Sequence, residues 1–119
     1  MSRANAVIVG ACLIAAALPA AAQRLHVNDA AYVAIAHCQG LINSDDLQLR
    51  MDPTGINRFM DLQGAGRTGD IIDRATHAKD VAARNAATAS SDEKARLMAE
   101  RDEPCRRWAH MGVRAPLAR

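Results

Sequence analysis

Residues 30–42 read AAYVAIAHCQGLI, the most apolar stretch of the chain after its N-terminal segment. The stretch predicts an amphipathic helix that Asn28 caps and that runs to about Asn43, with Gly40 as a weak point. Spacings of three and four residues place six of its side chains on one face: Ala31, Ala34, Ile35, Cys38, Leu41 and Ile42. We expect this face to pack against the rest of the protein.

Cys105 is the only other cysteine outside the first twelve residues, and it also lies on an apolar helical stripe. In an oxidising compartment, two cysteines on apolar faces favour a disulfide over a metal site or a nucleophile. A bond between Cys38 and Cys105 would close a loop of about 68 residues and contribute on the order of 4 kcal/mol in the chain-entropy model. We therefore predict that the disulfide joins these two helices.

The first 22 residues have the pattern of a bacterial signal peptide. Arg3 supplies a positive charge, residues 7–18 form a short apolar run, and residues 19–22 offer small side chains for cleavage. The run is too short for a stable membrane anchor. We expect a mature chain of residues 23–119 in the periplasm, without a transmembrane span.

Cys12 suggests an alternative localisation. It follows Val9-Gly10-Ala11, which loosely resembles the motif that places a lipid on a cysteine. The apolar run continues well past Cys12, which favours ordinary cleavage after Ala22. The alternative is a lipoprotein anchored to the membrane through Cys12.

Capping signals and apolar spacing predict three further helices. Their expected spans are about 53–63 after Asp52, 70–89 with a mostly alanine face, and 91–112 after Ser90. Pro104 predicts a kink in the last of these, or a restart near Asp102. No segment alternates with the period of a strand. The expected fold is an all-α bundle of three or four helices in one domain, residues 23–119, with residues 113–119 as a flexible tail.

Gly64, Gly66 and Gly69 have the spacing of the dinucleotide fingerprint. That fingerprint needs a preceding strand and a parallel sheet, and here a predicted helix precedes it. A flexible connection between helices is the better interpretation, and we expect no cofactor. Arg67 and Thr68, together with the start of the next helix, could hold an anion.

The histidines His26, His37, His77 and His110 do not have the spacing of metal-ligand pairs. No nucleophile elbow or metalloprotease motif occurs, so we expect neither an enzyme nor a metal site. A small periplasmic carrier of a ligand or metal is the alternative function. Its site would lie between helices, near His37, Cys38 and His110.

Positive charge gathers towards the C-terminus, although the whole chain has a formal net charge of only +2. Residues 23–93 carry a net charge of −3 and residues 94–119 a net charge of +4. The low net charge and the three aromatic residues argue against nucleic acid as a partner. The basic segment could contact an envelope protein or an anionic envelope component. The candidate interaction residues are Arg101, Arg106, Arg107 and Arg114, and the expected function is a non-enzymatic, protein-binding or envelope-associated module.

Overall fold

The computed structural model describes residues 25–111, which contain five α-helices and no strand. The helices are α1 (Asp29–Asn43), α2 (Thr54–Gly64), α3 (Gly69–Thr88), α4 (Ser91–Asp102) and α5 (Arg106–Ala109). The all-α prediction is confirmed, with four long helices and a short fifth. The expected signal peptide, Cys12 and the predicted tail lie outside the described residues.

Side-chain caps explain why several helices begin where they do. The side chain of Asn28 accepts a hydrogen bond from the backbone N–H of Ala31, as expected for the start of α1. Ser90 accepts from the N–H of Glu93 at the start of α4. The carboxylate of Glu93 pairs with Arg96, and this hydrogen bond lowers the pKa of Glu93. Thr68 caps α3, which begins at Gly69, one residue earlier than the predicted start at Asp70.

The start of α2 has a different arrangement. Asp52 accepts a hydrogen bond from the N–H of Thr54 at 3.0 Å, and Pro53 occupies the position before the first helical residue. Hydrogen bonding from the Thr54 backbone, followed by its side chain, lowers the pKa of Asp52. The Asp52-Pro53 start signal is therefore confirmed, one residue later than expected.

Pro104 separates α4 from α5. It has no N–H to donate, and its ring would clash with the carbonyl group four residues earlier in a continuous helix. The chain instead ends α4 at Asp102, and the N–H of Cys105 donates to the carbonyl oxygen of Glu100 at 3.2 Å. A new helical turn then begins at Arg106. The predicted interruption is confirmed.

α1 lies at the centre of the bundle and packs chiefly against α3. α2 runs antiparallel to α1, since Asn57 contacts Asn43 and Gln63 contacts Val27. α3 runs parallel to α1, because Arg67 just before it reaches Asp29 at the start of α1 while later residues of α3 lie beside Gly40. The N-terminal halves of α1 and α3 are therefore at the same end of the bundle.

α1 and α3 approach each other closely at Gly40. A Cβ atom added there would lie 2.8 Å from the Cβ of Ala82 and closer still to the carbonyl oxygen of Lys79. The buried face of α1 includes Gly40 and Ala36, whereas Ala34, predicted to be buried, is exposed. The observed buried face of α1 differs from the predicted one because the small residues Ala36 and Gly40 pack against α3.

A network of amide side chains joins α1 to α2. The Oδ1 atom of Asn57 accepts hydrogen bonds from Gln39 at 2.9 Å and from Asn43 at 2.8 Å. Asn57 donates in return to the Oδ1 atom of Asn43 at 3.2 Å. These partly buried groups are satisfied by one another, so the polar residues at this interface fix the relative position of the two helices.

No helix within residues 25–111 has both the length and the apolar composition needed to cross a bilayer.

Candidate functional site

Cys38 in the middle of α1 is bonded to Cys105, the residue immediately before α5. Their Cα atoms are 5.3 Å apart, and both residues are buried. The predicted disulfide is thus present. It attaches the chain after Pro104 directly to the central helix.

Apolar contacts hold α5 in the same place. The ring of Trp108 lies 5.6 Å from the ring of Phe59 in α2, measured between centroids. Ala109 is also buried in the common core. A four-residue helix has no stability of its own, so the disulfide and these contacts determine its position. We refer to Arg106–Ala109 as the basic turn.

Two arginines of the basic turn are exposed to solvent. The Nε atom of Arg106 donates to the backbone oxygen of Asp102 at 3.0 Å, and its Nη2 atom is 3.8 Å from a carboxylate oxygen of Asp102. The guanidinium of Arg107 lies over the Trp108 ring, 4.7 Å from the centroid. Within residues 25–111, no carboxylate lies within 4.0 Å of Arg107. The turn therefore presents positive charge that the described part of the protein only partly neutralises.

Arg101 does not belong to this surface, contrary to the sequence-based prediction. Its side chain is 1% exposed, its Nε atom donates to Asp102 at 2.8 Å, and its Nη1 atom is buried without a hydrogen-bond partner among the described residues. Arg101 is four residues from both Leu97 and Cys105, so it occupies the buried stripe of α4. This four-residue spacing is the feature of the sequence from which the burial of Arg101 could have been predicted. Arg114, the fourth candidate, lies outside the described residues.

The carrier hypothesis placed a site near His37, Cys38 and His110. The Nε2 atom of His37 is instead 2.9 Å from the Oε2 atom of Glu100, which joins α1 to α4. His110 is exposed at the end of α5, and the sulfur of Cys38 is in the disulfide. Within residues 25–111, no group of three or more His, Cys, Asp or Glu side chains is arranged to hold a metal ion.

The glycine-containing loop between α2 and α3 holds an arginine that points inward. Arg67 donates to the carbonyl oxygens of Val27 at 2.6 Å and Gln63 at 2.7 Å, and to the carboxylate of Asp29 at 2.7 Å. Its guanidinium lies 4.4 Å from the centroid of the Tyr32 ring, and its side chain is only 4% exposed. The expectation that Arg67 could help to hold an anion is wrong, because each of its three guanidinium nitrogens already donates within the protein and the side chain is buried.

We expect Arg67→Met to lower the free energy of unfolding by about 2 kcal/mol. The variant leaves two partly buried carbonyl oxygens without their charged donor, and such hydrogen bonds contribute roughly 1.5–3 kcal/mol. Urea denaturation measures the loss. Arg58→Met is the matched control, since Arg58 is exposed on α2. Equal losses in the two variants would contradict a clamping role for Arg67.

The chain matches no protein-family model, no curated protein and no solved structure. Its function is therefore inferred from its own side chains.

Proposed function

We propose that this protein is an exported, non-enzymatic binding module of the bacterial periplasm, and that its basic turn contacts an acidic protein or an anionic envelope component. The observation that carries the proposal is the pair of exposed arginines, Arg106 and Arg107, directly after a disulfide-bonded cysteine. The disulfide favours an oxidising compartment, in agreement with the signal-peptide pattern of residues 1–22.

The geometry of the turn suits recognition of carboxylates or phosphates. Guanidinium groups donate in a planar fork that matches both kinds of anion. Cys105 and Trp108 attach the turn to the core on either side of the two arginines. Because the backbone is already fixed, binding would lose less conformational entropy than binding by a free basic tail. Stacking on Trp108 also limits the freedom of the Arg107 side chain.

Charge reversal tests this proposal. We expect Arg106→Glu combined with Arg107→Glu to weaken sedimentation with bacterial envelope fractions by roughly 10–30-fold, since each arginine near an anionic surface contributes about 1 kcal/mol. The wild-type binding should also fall as salt is raised, because ions screen such contacts. Vesicles with and without phosphatidylglycerol distinguish a lipid from a protein component.

The matched control reverses two arginines outside the turn. Arg58 on α2 and Arg84 on α3 are exposed, and Arg58→Glu with Arg84→Glu changes the net charge by the same amount. This control is expected to retain most of the binding. If both double variants lose binding equally, overall charge and not the basic turn is responsible, and the proposal is wrong.

A further inference from the structure

A groove of about 160 Å³ opens between α1, α2 and α3, away from the residues of the basic turn. Tyr32, Ala36 and Gln39 contribute one face of α1 to it, and Ala75 is among the residues that α3 contributes. The two alanines leave space between helices that come into contact at Gly40, one turn further along α1.

The groove is lined by side chains of opposite charge from two different helices. Asp61 belongs to α2 and is exposed, whereas Lys79 belongs to α3 and is half-buried. Within residues 25–111, neither side chain forms an ion pair within 4.0 Å. Both charges are therefore available to a molecule that enters the groove.

Uncharged polar side chains also line the groove. Gln39 donates through Nε2 to Asn57, and this bond leaves its Oε1 atom free to accept. Thr76 contributes a hydroxyl from α3. The groove thus combines donors and acceptors with one positive and one negative group.

We propose that the groove binds a small zwitterion, such as an amino acid, with its carboxylate at Lys79 and its ammonium group at Asp61. The volume is well below the roughly 300–1,000 Å³ of sites for drug-sized ligands, which favours a small ligand. A ligand with both charges satisfies both side chains, whereas a ligand with one charge leaves the opposite group without a partner. The ligand class follows from this pairing.

Titration of the isotope-labelled protein with 4-aminobutyrate, followed by amide NMR shifts, tests the proposal. We expect saturable shifts in the backbone signals of Tyr32, Gln39, Thr76 and Lys79. Butyrate and butylamine each lack one charge and should bind roughly tenfold more weakly, because a charge-assisted hydrogen bond is lost. Shifts that do not saturate, or equal affinity for butyrate, would overturn the proposal.

Matched variants connect the binding to the two charges. Lys79→Met and Asp61→Asn should each weaken 4-aminobutyrate binding by roughly tenfold, and Lys79→Arg should restore most of it. Lys94→Met and Asp73→Asn are controls outside the groove and should bind as the wild type does. Unchanged binding in both groove variants would show that Asp61 and Lys79 do not hold the ligand. The Arg106→Glu, Arg107→Glu protein should bind normally, since this site is independent of the basic turn.

Discussion

Cys38→Ser is expected to lower the midpoint of thermal unfolding by on the order of 20 °C in an oxidising buffer and hardly at all in a reducing one. The disulfide joins residues 67 positions apart, and a loop of that length contributes on the order of 4 kcal/mol in the chain-entropy model. For a domain of about 100 residues, each kcal/mol corresponds to roughly 4–8 °C. Circular dichroism with and without a reductant measures both values.

Several controls separate the bond from the side chains. Cys105→Ser and the double variant should lose as much stability as Cys38→Ser, because each removes the same bond. Cys38 is only 9% exposed, so the serine hydroxyl of Cys38→Ser is itself buried. Comparison with the stability of Cys38→Ala shows whether burying this hydroxyl destabilises the protein further. Equal destabilisation of Cys38→Ser in both buffers, relative to wild type, would mean that the disulfide is not the source of the stability.

The disulfide has a further consequence for the basic turn. α5 has only four residues, and without the bond to Cys38 its remaining attachments are the contacts of Trp108 and Ala109 with the core. A helix of that length does not persist alone. If the basic turn binds an envelope component as proposed, loss of the disulfide also removes the fixed backbone that presents its arginines.

The sequence predicts the features of this fold that depend on local patterns. Asn28 and Ser90 cap helices through hydrogen bonds to residues three positions ahead, so short-range spacing is sufficient to find them. Pro104 interrupts a helix for a reason contained in its own ring. The disulfide could be predicted because the expected oxidising compartment and the two apolar stripes together favoured a bond between Cys38 and Cys105.

Features that depend on distant contacts could not be predicted in this way. Arg67 lies in a polar glycine-containing loop, and its partners Val27 and Asp29 are 40 and 38 positions away in sequence. Nothing near Arg67 distinguishes it from an exposed arginine. The groove beside Lys79 could not be predicted either, because it depends on how closely α1 and α3 approach each other. Arg101 is different: its position on an apolar stripe was visible, but its charge favoured a surface interpretation.

Gly40 shows most directly how tertiary contact overrides local preference. Within a helix, glycine is about 1 kcal/mol less favourable than alanine, so the sequence alone identifies Gly40 as a weak point. In the structure, however, glycine at this position is favourable for packing. Any Cβ here would overlap with the backbone of α3 at Lys79 and with Ala82. A backbone carbonyl cannot rotate away as a flexible side chain can. The small residue is required for the contact between α1 and α3.

We therefore expect Gly40→Ala to destabilise the protein by about 2 kcal/mol, and Gly40→Leu by at least about 3 kcal/mol, despite their higher helix propensities. The larger side chain must separate α1 from α3, which also exposes apolar surface that the two helices bury together. Urea denaturation monitored by circular dichroism gives both free energies of unfolding.

Gly69 provides the matched control for this prediction. It is the first residue of α3, and a Cβ added there would meet no atom within 4 Å. Gly69→Ala should therefore be neutral or slightly stabilising, because it reduces the freedom of the unfolded chain without creating a clash. If Gly40→Ala behaves like Gly69→Ala, α1 and α3 do not pack as closely as the structure places them. If the free energy of unfolding falls from Gly40→Ala to Gly40→Leu, and Gly69→Ala shows no such loss, the close contact between α1 and α3 depends on glycine at position 40.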